Sequence, residues 1–349
     1  MTIPTVDSVD AVSPSDASSS PRVATGPMVE VRDLNRAFGT VHAVRDLSFT
    51  IPRGGVVGFI GANGAGKTTT MRMMATLDDP TSGHIVIDGL DVVEHPREIR
   101  RRVGWMPDAL GTYQTMTVFE YLDFFARSYG FSPRARRARI EEVIDFADLG
   151  PLAHRQMAKL SKGMSQRLCF GRMLLPDPEF MILDEPAAGL DPKARLEFKN
   201  LVRILAARGK TLFISSHILS ELAEMCDSMV FIDSGSLVFQ GGSDELKHAP
   251  AQAGSDAGFV VEVAVAGDPA AFHDWIGTRP GWRLVEARRD GGLVACPATD
   301  PPSLAGSLRQ LVEGGIDVVG FRREQRRLEE AFVEMVRQQG DGHAGAPRS

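Results

Sequence analysis

Val56-Val57-Gly58-Phe59-Ile60-Gly61-Ala62-Asn63-Gly64-Ala65-Gly66-Lys67-Thr68-Thr69 is the stretch that decides the fold. The run from Val56 to Ile60 is apolar and β-branched, the composition of a strand buried on both faces. Gly61 to Thr68 then reads G-x-x-x-x-G-K-T, and a methionine-rich helical pattern follows. Three glycines let the backbone curl so that successive N–H groups point inward at phosphate oxygens. A helix opening at Lys67 adds its positive dipole end. Lys67 supplies a cation to the β- and γ-phosphates of a nucleotide, and the Thr68 hydroxyl can ligate Mg²⁺. Strand, loop and helix occur in the order this chemistry requires.

Outward from that loop, Phe180 to Asp184, Thr211 to Ser215 and Ser228 to Asp233 are further apolar runs of strand length. Their alternation with helical patterns predicts an α/β fold with a mainly parallel sheet. Phe180-Met181-Ile182-Leu183 ends in Asp184-Glu185, two carboxylates at a strand end that can both address one phosphate site. Asp184 can hold Mg²⁺, directly or through water, and Glu185 can orient and deprotonate an attacking water. His217 follows the next strand, where contact with a γ-phosphate is expected.

Between Pro107 and Pro178 the strand signal stops. Val118, Tyr121, Leu122, Phe125 and Tyr129 recur at helical spacing, as do Ile140, Val143, Ile144 and Ala147, which predicts a helical insertion. Phe119, Phe124 and Phe125 exceed what one core-facing stripe needs, and they fit either a docking groove or a small helical core. Arg134, Arg136, Arg137 and Arg139 read as a solvated helix face, with Glu141 and Glu142 following.

The chain of 349 residues has 43% hydrophobic and 24% charged residues, a globular composition long enough for about two domains. A net charge of −6 argues against nucleic acid as a partner. Cys169, Cys226 and Cys296 form no C-x-x-C pair, so they read as buried apolar side chains in a reducing compartment. No apolar run reaches the roughly 20 residues of a membrane span. The Ser-, Pro- and Asp-rich start is no secretory signal, and the expectation is a cytoplasmic protein. The predicted organisation is a disordered extension over 1–27, a nucleotide-binding domain over 28–247 with a helical part at about 108–178, a linker over 248–258, an α+β domain over 259–338 and a flexible tail over 339–349.

The order of these motifs resembles that of the ATP-binding cassette (ABC) ATPases from residue 28 to about 245. Leu160-Ser161-Lys162-Gly163-Met164-Ser165-Gln166-Arg167 stands where that family carries its signature, and Ala188-Gly189-Leu190-Asp191-Pro192 resembles its loop that crosses between sites. The resemblance implies a P-loop NTPase fold of ABC type, with an antiparallel β subdomain and a small C-terminal α+β domain. It implies ATP and Mg²⁺ as cofactors. Gly61, Asn63, Gly64, Ala65, Gly66, Lys67, Thr68 and Thr69 would hold the phosphates, and Phe38 would stack on adenine. Ser161, Gly163 and Asp191 would face the nucleotide of a second ABC subunit, in a homodimer or a heterodimer. Asp108 stands where the family carries a Gln or Glu that senses the metal, and a water would bridge its shorter reach.

LSKGMSQR is similar to the export branch, which works with separate type-2 permeases. The ending Arg327-Leu328-Glu329-Glu330-Ala331-Phe332-Val333-Glu334-Met335 resembles that of daunorubicin-resistance-type ATPases. The implied function is ATP hydrolysis coupled to transport by a separate polytopic membrane permease, from the inner face of the cell membrane. The alternative is a soluble ABC ATPase acting on a ribosome or a regulatory complex.

Overall fold

The computed structural model describes residues 26–111, 113, 115–242, 259–298 and 300–323. Residues 1–25 of the expected extension, the linker over 248–258, the stretch Arg327 to Met335 and the tail over 339–349 lie outside the described residues. The described residues fall into two compact units, one within Met1–Gly55 and Thr68–Phe213, the other within Val56–Lys67 and Ile214–Ser349.

In the first unit, β1 (Val29–Phe38), β2 (Val41–Ile51), β4 (Ser82–Ile87) and β5 (Leu90–Asp91) form an antiparallel sheet in the order β2-β1-β4-β5. Val29, Val31 and Leu34 of β1 and Val44, Leu47, Phe49 and Ile51 of β2 are buried, the period-two pattern of a sheet with one face in the core. After α2 (Pro96–Arg102), β6 (Val103–Met106) runs parallel to β7 (Phe180–Leu183), with Met106 opposite Leu183. All four β7 residues are buried, as expected of a strand covered on both faces.

The expected helical insertion is present as α3 (Val118–Ser128), α4 (Pro133–Phe146) and α5 (Lys162–Leu174). Thr117 and Glu120 close a capping box at the start of α3: each side chain accepts from the other's backbone N–H, at 3.2 and 2.8 Å. The α3 stripe buries Val118, Tyr121 and Leu122, but Tyr129 is 43% exposed. The helix has ended there, and Gly130 turns the chain at φ +82°.

Two of the four arginines on α4 depart from the solvated face expected of them. Arg136 pairs with Asp123 of α3 at 2.6 Å. Arg139 donates to the carbonyl oxygens of Leu174 and Leu175, at 2.9 Å for Leu175, where α5 leaves its last carbonyls without helical partners. α6 (Pro192–Ala207) and β8 (Thr211–Ser216) complete this stretch of chain.

In the second unit, β3 (Gly55–Ile60) pairs in parallel with β9 (Ser228–Asp233), which pairs antiparallel with β10 (Ser236–Gly242). These parallel pairs, separated in sequence by helices α1 (Lys67–Met74) to α7 (Leu219–Ala223), make the fold α/β with a mixed sheet.

The C-terminal part is an antiparallel sheet in the order β12-β13-β11-β14, with β11 Val260–Val265, β12 Arg283–Arg288, β13 Gly291–Ala295 and β14 Val318–Arg323. Helices α8 (Pro269–Thr278) and α9 (Pro301–Glu313) bring Phe272, Ile276 and Leu311 into one core with Val261, Val263, Trp282 and Val294. An antiparallel sheet with two helices packed into its core is an α+β arrangement.

All three cysteines are buried and free. Burial pushes the Cys169 thiol up to about 11 and raises that of Cys226 further, the carboxylate of Asp227 adding to the second shift. The thiolate is the reactive form. Native protein at pH 8 is therefore expected to show no fast reaction with a disulfide reagent such as Ellman's, and denatured protein three reactive thiols. A fast-reacting thiol in the native state would contradict this packing.

Candidate functional site

In the second unit the loop after β3 is shaped by three close constraints. A Cβ at Gly61 would stand 2.5 Å from the Ile232 carbonyl oxygen and 3.0 Å from the Ala65 side chain, so only glycine lets β3 run this near β9. Gly64 and Gly66 take φ of +83° and +101°, the left-handed region that side chains avoid. Ala65 donates its N–H to Ala62 O at 3.1 Å, and Gly235, in the turn between β9 and β10, donates to Ala65 O at 3.1 Å.

Lys67 opens α1 and is only 6% exposed. Its ammonium donates to Gly61 O at 2.8 Å and Ala62 O at 3.3 Å, drawing the loop around the charge. Asn63 and Gly64 are exposed, and a Cβ at Gly64 would meet nothing within 4 Å, so the rim of the loop is open. A glycine-curled loop and a buried cation beside an open rim fit a phosphate chain.

His217 is exposed just after β8. Ser216 Oγ fixes that turn, accepting from the Ile218 N–H at 3.0 Å and donating to Glu221 Oε2 at 3.2 Å.

In the first unit the Thr68 hydroxyl donates to Asp184 Oδ2 at 2.8 Å. Asp184 is 2% exposed, and its N–H reaches Met106 O at 2.9 Å, which holds the end of β7 against β6. A hydroxyl and a carboxylate oxygen side by side are ligands that suit a hard cation. Among the described residues there is no cluster of three or more His, Cys, Asp or Glu side chains that could hold a metal. A magnesium ion that shares its coordination with phosphate oxygens and water needs no such cluster. Glu185 is half-buried at φ +47°, a conformation uncommon for a side chain of its size. It breaks the alternation that would send neighbouring carboxylates to opposite faces. Thr69 is half-buried, next to Thr68 on α1.

Two helix starts lie in the same unit. Ser161 caps α5, accepting from the Met164 N–H at 3.3 Å. Asp191 caps α6, accepting from the Ala194 N–H at 2.9 Å. Gly163 sits in the first turn of α5, where a Cβ would come within 3.5 Å of Leu190, so the signature stretch and the loop before α6 touch here. Asp108 is exposed in the turn after β6. Phe38, at the end of β1, is 48% exposed, with the Arg36 guanidinium 4.3 Å from its ring centre.

The structure thus joins Thr68 to Asp184, and Lys67 to Gly61 and Ala62. The contribution of Gly235 was missed in the sequence, although Asp233-Ser234-Gly235 carries a turn signal. The left-handed turn at Glu185 has no sequence signal.

A family model described as ABC transporter matches residues 44–188. The chain is 33% identical over 317 residues to the Nod factor export ATP-binding protein I of Ralstonia nicotianae, covering 90% of this chain and 96% of that protein. It is 31% identical over 311 residues to a daunorubicin resistance ATP-binding protein of Streptomyces coeruleorubidus, covering 88% of this chain and 95% of that protein. A solved ATP-binding subunit of an ABC transporter superposes with a TM-score of 0.58 at 31% identity, covering 63% of this chain and 92% of that one. Among the described residues no helix is long and apolar enough to cross a membrane.

Proposed function

The chain belongs to the ATP-binding subunits of ABC transporters, and from that premise we propose that it is the ATP-hydrolysing motor of an exporter, working with a separate polytopic permease. The observation that carries the reading is the Thr68–Asp184 contact of 2.8 Å, next in sequence to the buried Lys67 ammonium. It sets a metal-ligating hydroxyl and a phosphate-binding cation at consecutive positions of one helix start, with the carboxylate of Asp184 against the hydroxyl.

In this reading the loop from Gly61 to Thr69 holds the triphosphate, and Phe38 stacks on the adenine. Thr68 and Asp184 would hold Mg²⁺, and Asp108 would address it through a water. The ion would supply neutralisation of the β- and γ-phosphate charge. Glu185 accepts the proton of the attacking water, and His217 contacts the γ-phosphate. Ser161, Gly163 and Asp191 face the nucleotide bound by a second ABC subunit, so closure of two subunits on two ATP molecules is the step that moves the permease.

The aromatic cluster of the helical insertion supports a membrane partner. Tyr113 and Phe124 are 48% and 49% exposed, and Phe124 packs edge-on to Phe125 at 5.3 Å. Exposed aromatic side chains in contact are a docking surface for a partner helix. The names of the relatives differ in cargo, which fits a motor that touches the permease and not the transported molecule. The protein acts at the cytoplasmic face of the membrane, with no role for nucleic acid.

Capture of the tagged protein from gently solubilised native membranes tests this. Recovery of a polytopic permease in the complex, with ATP turnover, is the expected result. Recovery only in the soluble fraction, bound to ribosomes or to nothing, would sink the exporter reading.

A further inference from the structure

A cavity of about 230 Å³ lies between α5 and α6 in the first unit, lined by Gly163 of the signature stretch but by neither Thr68 nor Asp184. Phe170, Leu190 and Phe198 give it apolar walls, the two phenyl rings meeting edge to face at 5.6 Å. Gln166 also lines it and is 8% exposed. Neither its amide oxygen nor its amide nitrogen has a hydrogen-bond partner among the described residues. Buried amides are almost always served, so an unserved one beside an empty, mainly apolar space points to a missing partner.

The remaining lining restricts what that partner is. Arg167 is paired with Asp148 at 2.7 Å and with Glu197, so the cavity offers an anion no uncommitted guanidinium. A phosphate or carboxylate would meet those two acidic groups instead, and a neutral occupant is favoured. The volume is below that of pockets for drug-sized ligands, which run from about 300 Å³ upward, and suits one or two fused rings. A glutamine amide presents an acceptor and a donor side by side. Its complement is a ring edge carrying an N–H next to a C=O.

We propose that this cavity is a binding site for a small, neutral, planar molecule with a lactam-type edge, held by Gln166 against the wall that Phe170 and Phe198 form. The inference is independent of the transport reading, because it stands on the cavity and its unserved amide alone.

The test uses the full chain and 2-quinolone, a bicyclic lactam, titrated by calorimetry and by ligand-observed NMR. Saturable binding is expected with a Kd of about 0.1–1 mM, the range for so small a ligand. Gln166→Leu removes the amide while keeping the apolar volume. Ala194→Leu fills the cavity from α6 and serves should Gln166→Leu fail to fold. Each is expected to weaken binding at least tenfold while keeping a cooperative unfolding transition. Absence of saturable binding to the wild type, or wild-type affinity in either folded variant, overturns the proposal and leaves Gln166 as a water-bound group.

Discussion

Glu185→Gln is expected to lower ATP turnover by about two to four orders of magnitude, the usual weight of a positioned general base, while ATP affinity stays near that of the wild type. The argument starts at the end of β7. Leu183 is the last strand residue, and Asp184 is buried with its carboxylate on the Thr68 hydroxyl at 2.8 Å. In the proposed mechanism Asp184 therefore serves the metal side of the site. Glu185 turns out of the strand at φ +47° and stays half-buried, and the proposed mechanism assigns it to the water. Glutamine keeps the size of the side chain and much of its hydrogen bonding but cannot accept the proton. Phosphate release at saturating ATP and Mg²⁺, set beside nucleotide affinity from calorimetry, separates the two effects. Near-normal turnover in this variant would remove Glu185 from the chemistry.

Such a prediction could be framed from the sequence because the parts of the site that depend on local order are legible there. The phosphate loop needs a buried strand, glycines at fixed offsets and a helix start, and all three are contiguous from Val56 to Thr69. Helix α1 begins at Lys67 as expected. Ser161 and Asp191 cap α5 and α6 by a local device, a side-chain oxygen accepting from the N–H three residues on.

What stayed hidden depends on residues distant in sequence. Gly61 must be glycine because the Ile232 carbonyl stands against it, and that requires the β3–β9 register. Arg139 looks like one of a solvated row until the end of α5 presents its carbonyls. Gln166 reads as an ordinary polar position of a signature stretch. Only the packing of α5 beside α6 buries it against an empty space. Periodicity gives the face of a helix, and it does not give what that face meets. Tyr129 continues the spacing of its stripe after the helix itself has stopped.

Lys67→Ala is the counterpart to the glutamate variant, because it should weaken binding where the other slows chemistry. Truncating one partner of a buried, hydrogen-bonded charge pair costs about 2–5 kcal/mol. At about 1.4 kcal/mol per tenfold this is a loss of about thirtyfold to a few thousandfold in ATP affinity. The structure adds a second contribution in the same direction. The ammonium is 6% exposed and donates to Gly61 O and Ala62 O, so its removal also frees the loop from the curl that aims its N–H groups. Gly235 still holds Ala65 from the other side, so the loop loosens without losing its anchor, and the free protein should unfold near the wild-type temperature. The measurement is the thermal shift produced by nucleotide. A ligand at a hundred times its Kd stabilises by about 2.7 kcal/mol. That gain should be plain in the wild type and in Glu185→Gln, and cut to about a third or less in Lys67→Ala at the same nucleotide concentration. An undiminished shift in Lys67→Ala would mean that the glycine-rich turn after β3 is not where the phosphates bind, and the functional reading built on it would fall with that assignment.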